Sequence, residues 1–187
     1  MEYIPVTMVR ENLMDIPQFP LPPGYSMRMY RPGDEASWLR LWQQSEPFKQ
    51  IAPETFQRAF GDDLPAMRKR CFFLVAPDGA DAGTITAWYD RRYGKRRWGR
   101  IHWVCVVPEH QGKGLCKPMM TVAMSRLRSL GHRRAMLVTQ TPRLRAIKVY
   151  LDFGFVPDMT ADRAHDAWQL VALELHHPAL AAFKRHG

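Results

Sequence analysis

The chain has 187 residues, of which 46% are apolar and 24% are charged, so it is long enough to fold as one domain around a buried core. Its apolar runs are shorter than the roughly 20 residues that span a bilayer, which excludes a transmembrane helix. The formal net charge of +9 raises the question of an anionic ligand or partner.

The cysteines are Cys71, Cys105 and Cys116, and their spacing matches neither a disulfide framework nor a set of metal ligands. We therefore predict no metal site. The first residues lack the basic and apolar segments of a secretory signal. Together these features predict a protein of the reducing cytoplasm.

Residues 1–24 are rich in proline and show little periodicity, so we expect an irregular arm that wraps the domain or contacts a second copy in a homodimer. Residues 25–187 are predicted to form a single domain. It begins with a strand at residues 25–30, followed by a helix that Asp34 can cap and that carries Trp38 and Trp42, and by a short helix at residues 53–60. The further predicted elements are strands at 71–76, 83–89 and 101–107, a helix at 117–130, a strand at 134–140, a helix at 143–153, and a last strand pair around 155 and at 168–175.

The most informative segment runs from Val104 to Cys116, where an apolar strand passes through a proline into a glycine-rich turn and then into a helix. In such a turn, backbone N–H groups and the first N–H groups of the helix point into one concavity that favours an anion. Gly112 and Gly114 allow close approach of phosphate oxygens, and Lys113 adds a positive charge. The turn therefore predicts a phosphate-bearing ligand, although an ordinary strand-to-helix turn has the same build.

Two motifs in this order resemble those of the GNAT superfamily of N-acetyltransferases. The acetyl-CoA signature of that superfamily, Gln/Arg-x-x-Gly-x-Gly/Ala, is matched by Gln111 and Gly114, with Cys116 in place of the last small residue. The later pattern Asn-x-x-Ala-x-x-x-Tyr-x-x-x-Gly-Phe is matched at Ala146, Tyr150, Gly154 and Phe155, with Arg143 in place of the asparagine. The resemblance covers roughly residues 25–175.

The resemblance implies an α/β (α+β) fold with a mixed, mostly antiparallel sheet of six to seven strands, flanked by helices on both faces and splayed at the acetyl-CoA site. It implies acetyl-CoA as cosubstrate and direct transfer to a primary amine, without a metal. The residues it assigns to the cofactor are Val104, Cys105, Val106, Gln111, Gly112, Lys113, Gly114, Leu115, Cys116, Lys117 and, as a cation that could reach a CoA phosphate, Arg143.

The same resemblance makes Tyr150 the general acid that protonates the leaving thiolate. The base is open. Strand alternation puts His102 on the face of Val104, near the reacting carbonyl, with Trp103 on the opposite face. Glu109, beside the phosphate turn, is the next candidate. Each of these residues also has a purely structural interpretation: His102 could be hydrogen-bonded to a neighbour, Tyr150 could pack between helix and sheet, and Cys116 could only fill space. Thr139 and Gln140 could contact the acceptor.

Residues 91–100 are predicted to form a hairpin that contains six basic residues and two aromatic residues, Tyr93 and Trp98. From Arg91 to Arg100 this segment could bind nucleic acid, or it could be an ordinary solvated hairpin tip.

The acceptor is predicted to be a small-molecule or amino-acid-like amine. Alternatives are an aminoacyl-tRNA or protein amine, or a binding module for CoA or nucleic acid that has lost catalysis.

Overall fold

A computed structural model describes residues 1–91, 93 and 98–184 of the chain. The strands in these residues form one mixed seven-stranded sheet with the order β2-β3-β4-β5-β6-β1-β7. They are β1 Pro5–Arg10, β2 Ser26–Met29, β3 Cys71–Val75, β4 Asp81–Asp90, β5 Trp98–Val106, β6 Ala135–Gln140 and β7 Val156–Pro157. The helices that flank the sheet are α1 Glu35–Ser45, α2 Thr55–Phe60, α3 Leu64–Arg70, α4 Cys116–Ser129, α5 Leu144–Asp152 and α6 Ala164–Glu174, with 3₁₀ turns at Pro108–His110 and Pro178–Phe183.

The sheet opens between its two central strands. All other neighbouring strands pair antiparallel, whereas β5 and β6 run parallel. Within the described residues, the β5 and β6 ladder is limited to Gly99 opposite Ala135 and Arg100 opposite Met136. Beyond Arg100 the strands separate, so backbone groups of β5 and β6 are left for another partner. The predicted mostly antiparallel sheet with a splay at its centre is confirmed.

Apolar residues at matching spacing explain where the helices lie. Helix α4 buries Met120, Ala123, Met124 and Leu127, which recur at helical spacing and are fully inaccessible. Helix α1 buries Trp38, whose ring packs edge-on against Phe56 and Phe60. These aromatic contacts join α1 and α2 beside strand β5, and thereby fix one wall of the site described below.

The predicted irregular arm is wrong at its centre, because Pro5–Arg10 forms strand β1 between β6 and β7. Ile4, Val6 and Met8 alternate with exposed or half-exposed residues and are buried in the core. The prolines of the arm obscured this alternation. Pro5 is the first residue of the strand, a position where the missing N–H is tolerated.

Three further expectations need correction. Residues 168–175 fall largely in helix α6, where Trp168, Val171 and Ala172 are buried at helical spacing, rather than in a strand. Helix α3 was not predicted, and its N-terminus is capped by Asp63, which accepts from the backbone N–H of Ala66 at 3.0 Å. Asp34 precedes α1 without a capping bond from its side chain. Its carboxylate instead accepts bonds from the Arg28 guanidinium.

None of the described helices is long and apolar enough to cross a membrane. The described residues also contain no cluster of three or more His, Cys, Asp or Glu side chains that could hold a metal ion.

Candidate functional site

The turn after strand β5 is open on the side that faces solvent. Gly112 and Gly114 have φ values of +76° and +74°, the left-handed region that glycine adopts without strain. A Cβ atom at either position would meet no heavy atom within 4 Å. Gln111 closes the base of the turn by donating from Nε2 to the Val106 carbonyl at 2.9 Å. The glycines thus line an open cradle immediately before helix α4.

A cavity of about 370 Å³ lies between this turn, the exposed end of β5 and helix α5. Its open backbone cradle at Gly112 and Gly114 is suited to phosphate groups. The predicted cofactor residues that line it are Val104, Cys105, Val106, Gln111, Gly112, Gly114, Leu115, Cys116, Lys117 and Arg143. Lys113 lies on the turn as an exposed residue and is not part of the lining.

The cations that line this cavity differ in whether they already form an ion pair with a carboxylate of the protein. Lys117 Nζ lies 3.0 Å from an Asp152 carboxylate oxygen and above the Phe19 ring. Burial opposes ionisation of Asp152, but bonds from Lys117, Lys148 and His177 together lower its pKa. Lys117 therefore shares its charge with a fixed carboxylate.

Arg145 is a cation of this cavity that the sequence motifs did not reveal. It is exposed, lines the same cavity, and forms no ion pair with the residues that the structure describes. His110 also lines the cavity, where its Nδ1 is 2.8 Å from the Tyr25 hydroxyl.

A second cavity, of about 210 Å³, lies on the other side of the splay. It shares four lining residues with the cofactor cavity: Trp42, Val104, Arg143 and Tyr150. Thr139 and Gln140 also line it, as the sequence suggested for an acceptor pocket. The two cavities therefore adjoin at these shared residues.

Tyr150 projects from helix α5 into this meeting point. Its side chain is largely buried, with a relative exposure of 7%, and its ring packs near Phe155. Burial, with a smaller contribution from Cys116, raises the pKa of the Tyr150 phenol well above its ordinary value. The phenol therefore holds its proton at neutral pH, and it can donate that proton to a group that develops negative charge.

Burial also determines the protonation state of Cys116, the cysteine beside the turn. It raises the pKa of the Cys116 thiol to about 11. A thiol with such a pKa is not a thiolate at neutral pH, which favours the interpretation that Cys116 fills space.

Strand β5 contains a bulge at the predicted base. The pairing with β4 shifts register between Thr84 and Thr86, and Trp103 has a φ of +49°, rare for a non-glycine residue. His102, Trp103 and Val104 consequently all line the second cavity. The prediction that Trp103 lies on the opposite face is wrong, because the bulge interrupts the alternation of side chains.

His102 reaches the second cavity as a neutral imidazole. Burial, and then the nearby charge of Arg100, lower the pKa of His102 well below its ordinary value. A neutral imidazole can accept a proton, but only from an acid stronger than an isolated ammonium. Glu109, the other predicted base, is an exposed residue of the 3₁₀ turn and lines neither cavity.

Glu46 is the main functional candidate that the sequence analysis missed. Its side chain is 1% exposed, lines the second cavity, and accepts two bonds from Nη2 of Arg143 at 2.7 and 2.6 Å. Arg143 also donates from Nε to Gln140 at 2.5 Å. The guanidinium that was expected to reach a CoA phosphate is therefore bound to a carboxylate on the acceptor side.

Half of the basic hairpin at residues 91–100, namely residues 92 and 94–97, lies outside the described residues. Of its aromatic residues, Trp98 is buried at the start of β5, and Tyr93 donates its hydroxyl proton to Asp158 at 2.6 Å. Trp98 is therefore not available to stack on a base. Whether the remaining basic residues bind nucleic acid stays a prediction.

Comparisons with known proteins agree with this architecture. The model of the acetyltransferase (GNAT) family matches residues 35–155. Among curated relatives, the mycothiol acetyltransferase of Streptomyces coelicolor is 29% identical over 150 residues, covering 79% of this chain and 48% of the relative. That of Salinispora tropica is 32% identical over 149 residues, covering 75% of this chain and 47% of the relative. The chain thus spans about half the length of the curated relatives it matches.

Solved structures of GNAT proteins share this fold. A GCN5-related N-acetyltransferase from Sphaerobacter thermophilus superposes with a TM-score of 0.67 at 20% identity, covering 83% of this chain and 50% of that chain. A tandem GNAT protein from the clavulanic acid biosynthesis pathway gives 0.58 at 17% identity, covering 82% of this chain and 50% of that chain. At these identities the likeness is one of fold.

Proposed function

The chain belongs to the acetyltransferase (GNAT) family, and we propose that it transfers the acetyl group of acetyl-CoA directly to a primary amine of a small molecule. The observation that carries this proposal is that Tyr150 lies where the two cavities meet. A donor and an acceptor that approach from opposite sides of the splayed sheet would react at that point.

The open turn at Gly112 and Gly114 would hold the pyrophosphate of the cosubstrate, with Arg145 and Lys117 as nearby cations. The edge of β5 from Val104 to Val106 that β6 leaves unpaired would bind the pantetheine arm as an added strand. This arrangement would place the thioester beside Tyr150.

A protonated amine loses two protons in the reaction, one before its nitrogen attacks and one as the C–N bond forms, and the CoA sulfur gains one. An acceptor amine with a pKa near 10 arrives protonated and must lose a proton before its nitrogen can attack the thioester carbon. As the new C–N bond forms and the C–S bond breaks, the CoA sulfur gains negative charge. Tyr150, protonated and buried, would donate its proton to that sulfur and regain one from the amine through solvent or a nearby base.

His102 is the best placed of the predicted bases, because it lines the acceptor cavity and Glu109 does not. Its lowered pKa keeps the imidazole neutral, so it would accept the amine proton directly or through a water molecule only as the C–N bond forms and the proton becomes acidic. The Glu46 and Arg143 pair would hold helix α5, and so Tyr150, in register with α1.

The curated relatives are named mycothiol acetyltransferases, which supports a small molecule as acceptor and makes a mycothiol-related amine one candidate to test. The cavity of about 210 Å³ next to Tyr150 has the size of a compact amine-bearing group.

Melting temperature tests the cofactor half of the proposal. Acetyl-CoA at saturating concentration is expected to raise the melting temperature by mass action, and a nicotinamide dinucleotide is expected to leave it unchanged. CoA without the acetyl group serves as a comparison for the phosphate turn. No shift with acetyl-CoA or with CoA would refute the proposed site.

A further inference from the structure

The second cavity, called the inner cavity from here on, continues into a wider and more open outer cavity of about 490 Å³. The two share the lining residues Lys49, Arg100, His102 and Trp103. An acceptor whose amine lies beside Tyr150 would therefore extend through the inner cavity, past these four residues, and into the outer one.

The charged residues along this path are mostly basic. Lys49, Arg58, Arg100 and Arg143 line the two cavities, and Glu46 is the one acidic side chain among the described lining residues. The charge of Glu46 is already matched by Arg143. Arg58 and Arg100 are paired with Glu54 and Asp90, so among the described residues the unmatched positive charge at the junction of the two cavities is that of Lys49.

Lys49 is the most available of these cations. It is exposed, and its Nζ lies 5.6 Å from the centre of the Trp103 ring, which holds the ammonium against the cavity wall. It forms no ion pair with any residue in the described ranges. Arg58, by contrast, is already bound to Glu54 at the surface.

Two buried N–H donors at the same junction also lack acceptors among the described residues. They are Nε of Arg100 and Nε1 of Trp103. The Arg100 guanidinium has one ion pair, with Asp90 at 3.1 Å, and burial lowers its pKa. Buried donors without acceptors are costly, and both of these belong to side chains that line the junction.

We propose that the acceptor carries an anionic group, a carboxylate or a phosphate, at the end remote from its amine, and that Lys49 determines specificity for that group. This inference rests on the proposed acetyl transfer. It adds that an amine with a remote negative charge is acetylated in preference to a neutral amine of the same length.

The test is a set of matched amines assayed by amine-dependent release of the CoA thiol. Each pair joins an ω-amino acid with the alkylamine of equal length, or an aminoalkyl phosphate with its amino alcohol, so that the amines within a pair have similar basicity. The wild-type protein is expected to show a kcat/KM about tenfold or more higher for the anionic member of the favoured series. The series with the larger ratio tells a carboxylate from a phosphate.

Substitutions at Lys49 locate the preference. Lys49→Gln is expected to reduce that ratio about tenfold, through KM for the anionic amine, with the neutral amine unaffected. Lys49→Arg keeps the charge and should keep most of the preference. Lys69→Gln is the matched control, because it removes a lysine from α3 outside both cavities, and it should behave as wild type.

The outcomes separate this inference from the proposed function. Equal kcat/KM for both members of every pair, or an unchanged ratio in Lys49→Gln, would overturn the inference and leave acetyl transfer intact. Acetylation of an aminoacyl-tRNA but of no small amine would overturn it in favour of an amine carried by nucleic acid. If the protein binds acetyl-CoA but acetylates no amine of any kind, the proposed function fails, and this inference fails with it.

Discussion

The two sides of the splayed sheet are built in different ways. The proposed cofactor side is built mainly on one continuous segment, in which strand β5, a turn with two left-handed glycines and helix α4 follow each other directly, and residues of α1 and α5 complete the cavity. The acceptor side is assembled from α1, the loop after it, a bulge in β5 and the start of α5. A local segment can bind a constant ligand in every relative, whereas an assembled surface can change with each substrate.

Tyr150 belongs to both sides, and its substitution is expected to have the largest effect. Tyr150→Phe removes only the hydroxyl, so turnover should fall about 100-fold or more while acetyl-CoA affinity stays unchanged. Steady-state kinetics and calorimetric binding measure the two effects. Tyr3→Phe, at an exposed site, is the control. Undiminished turnover of Tyr150→Phe would remove this residue from the mechanism.

The Glu46 and Arg143 pair ties the acceptor wall to helix α5, and its loss is the next largest expected effect. Glu46→Gln leaves a half-buried guanidinium without a matching charge, which should lower the free energy of unfolding by about 2 kcal/mol. Denaturant unfolding monitors the change. Glu54→Gln breaks an exposed pair with Arg58 instead and should cost little. Equal losses of unfolding free energy in the two variants would mean that the buried pair stabilises the protein no more than the exposed pair does.

A substitution confined to the cofactor side should leave the acceptor side intact. Gly114→Val places a branched side chain at φ +74° and into the open cradle, so acetyl-CoA affinity should fall about tenfold or more. Gly79→Val is a close control, since Gly79 has a φ of +86° and equally open surroundings in the turn between β3 and β4. If both variants bind acetyl-CoA as tightly as wild type, the turn is not the phosphate site.

The smallest expected effect concerns pH and the acceptor side. Because the pKa of His102 is lowered, the imidazole stays neutral as the pH falls through about 6.5, so a rate limb due to His102 should lie on the acid side of that value. His102→Ala should remove this limb, and the exposed His165→Ala should not. A limb that persists in His102→Ala would assign the base to another group or to a chain of water molecules.

The comparison of the two sides also explains which features the sequence predicted. The glycine turn and the Tyr150 motif are local patterns, and the cofactor residues predicted from them line the cavity beside the turn with the exception of Lys113. The Glu46 and Arg143 contact joins residues 97 positions apart, so no local pattern reveals it. In the sequence, the contact is indicated only by Arg143, which stands where the motif has an asparagine.

Other misses have equally specific causes. The bulge at Trp103 reverses the expected side-chain directions on β5, and strand alternation alone cannot reveal it. In residues 168–175 the apolar pattern suited either a strand or a helix, and burial of Trp168 and Val171 on one face decides for α6.

The most direct test of the central claim is amine-dependent acetyl transfer by the wild-type protein. The assay follows release of the CoA thiol from acetyl-CoA across a panel of primary amines, and mass spectrometry counts the acetylated product. If the two cavities serve one reaction at Tyr150, thiol and acetylated amine should appear in equal amounts, and neither should form without the amine. Thiol release without acetylated amine, or binding of acetyl-CoA without turnover on any amine, would contradict the account.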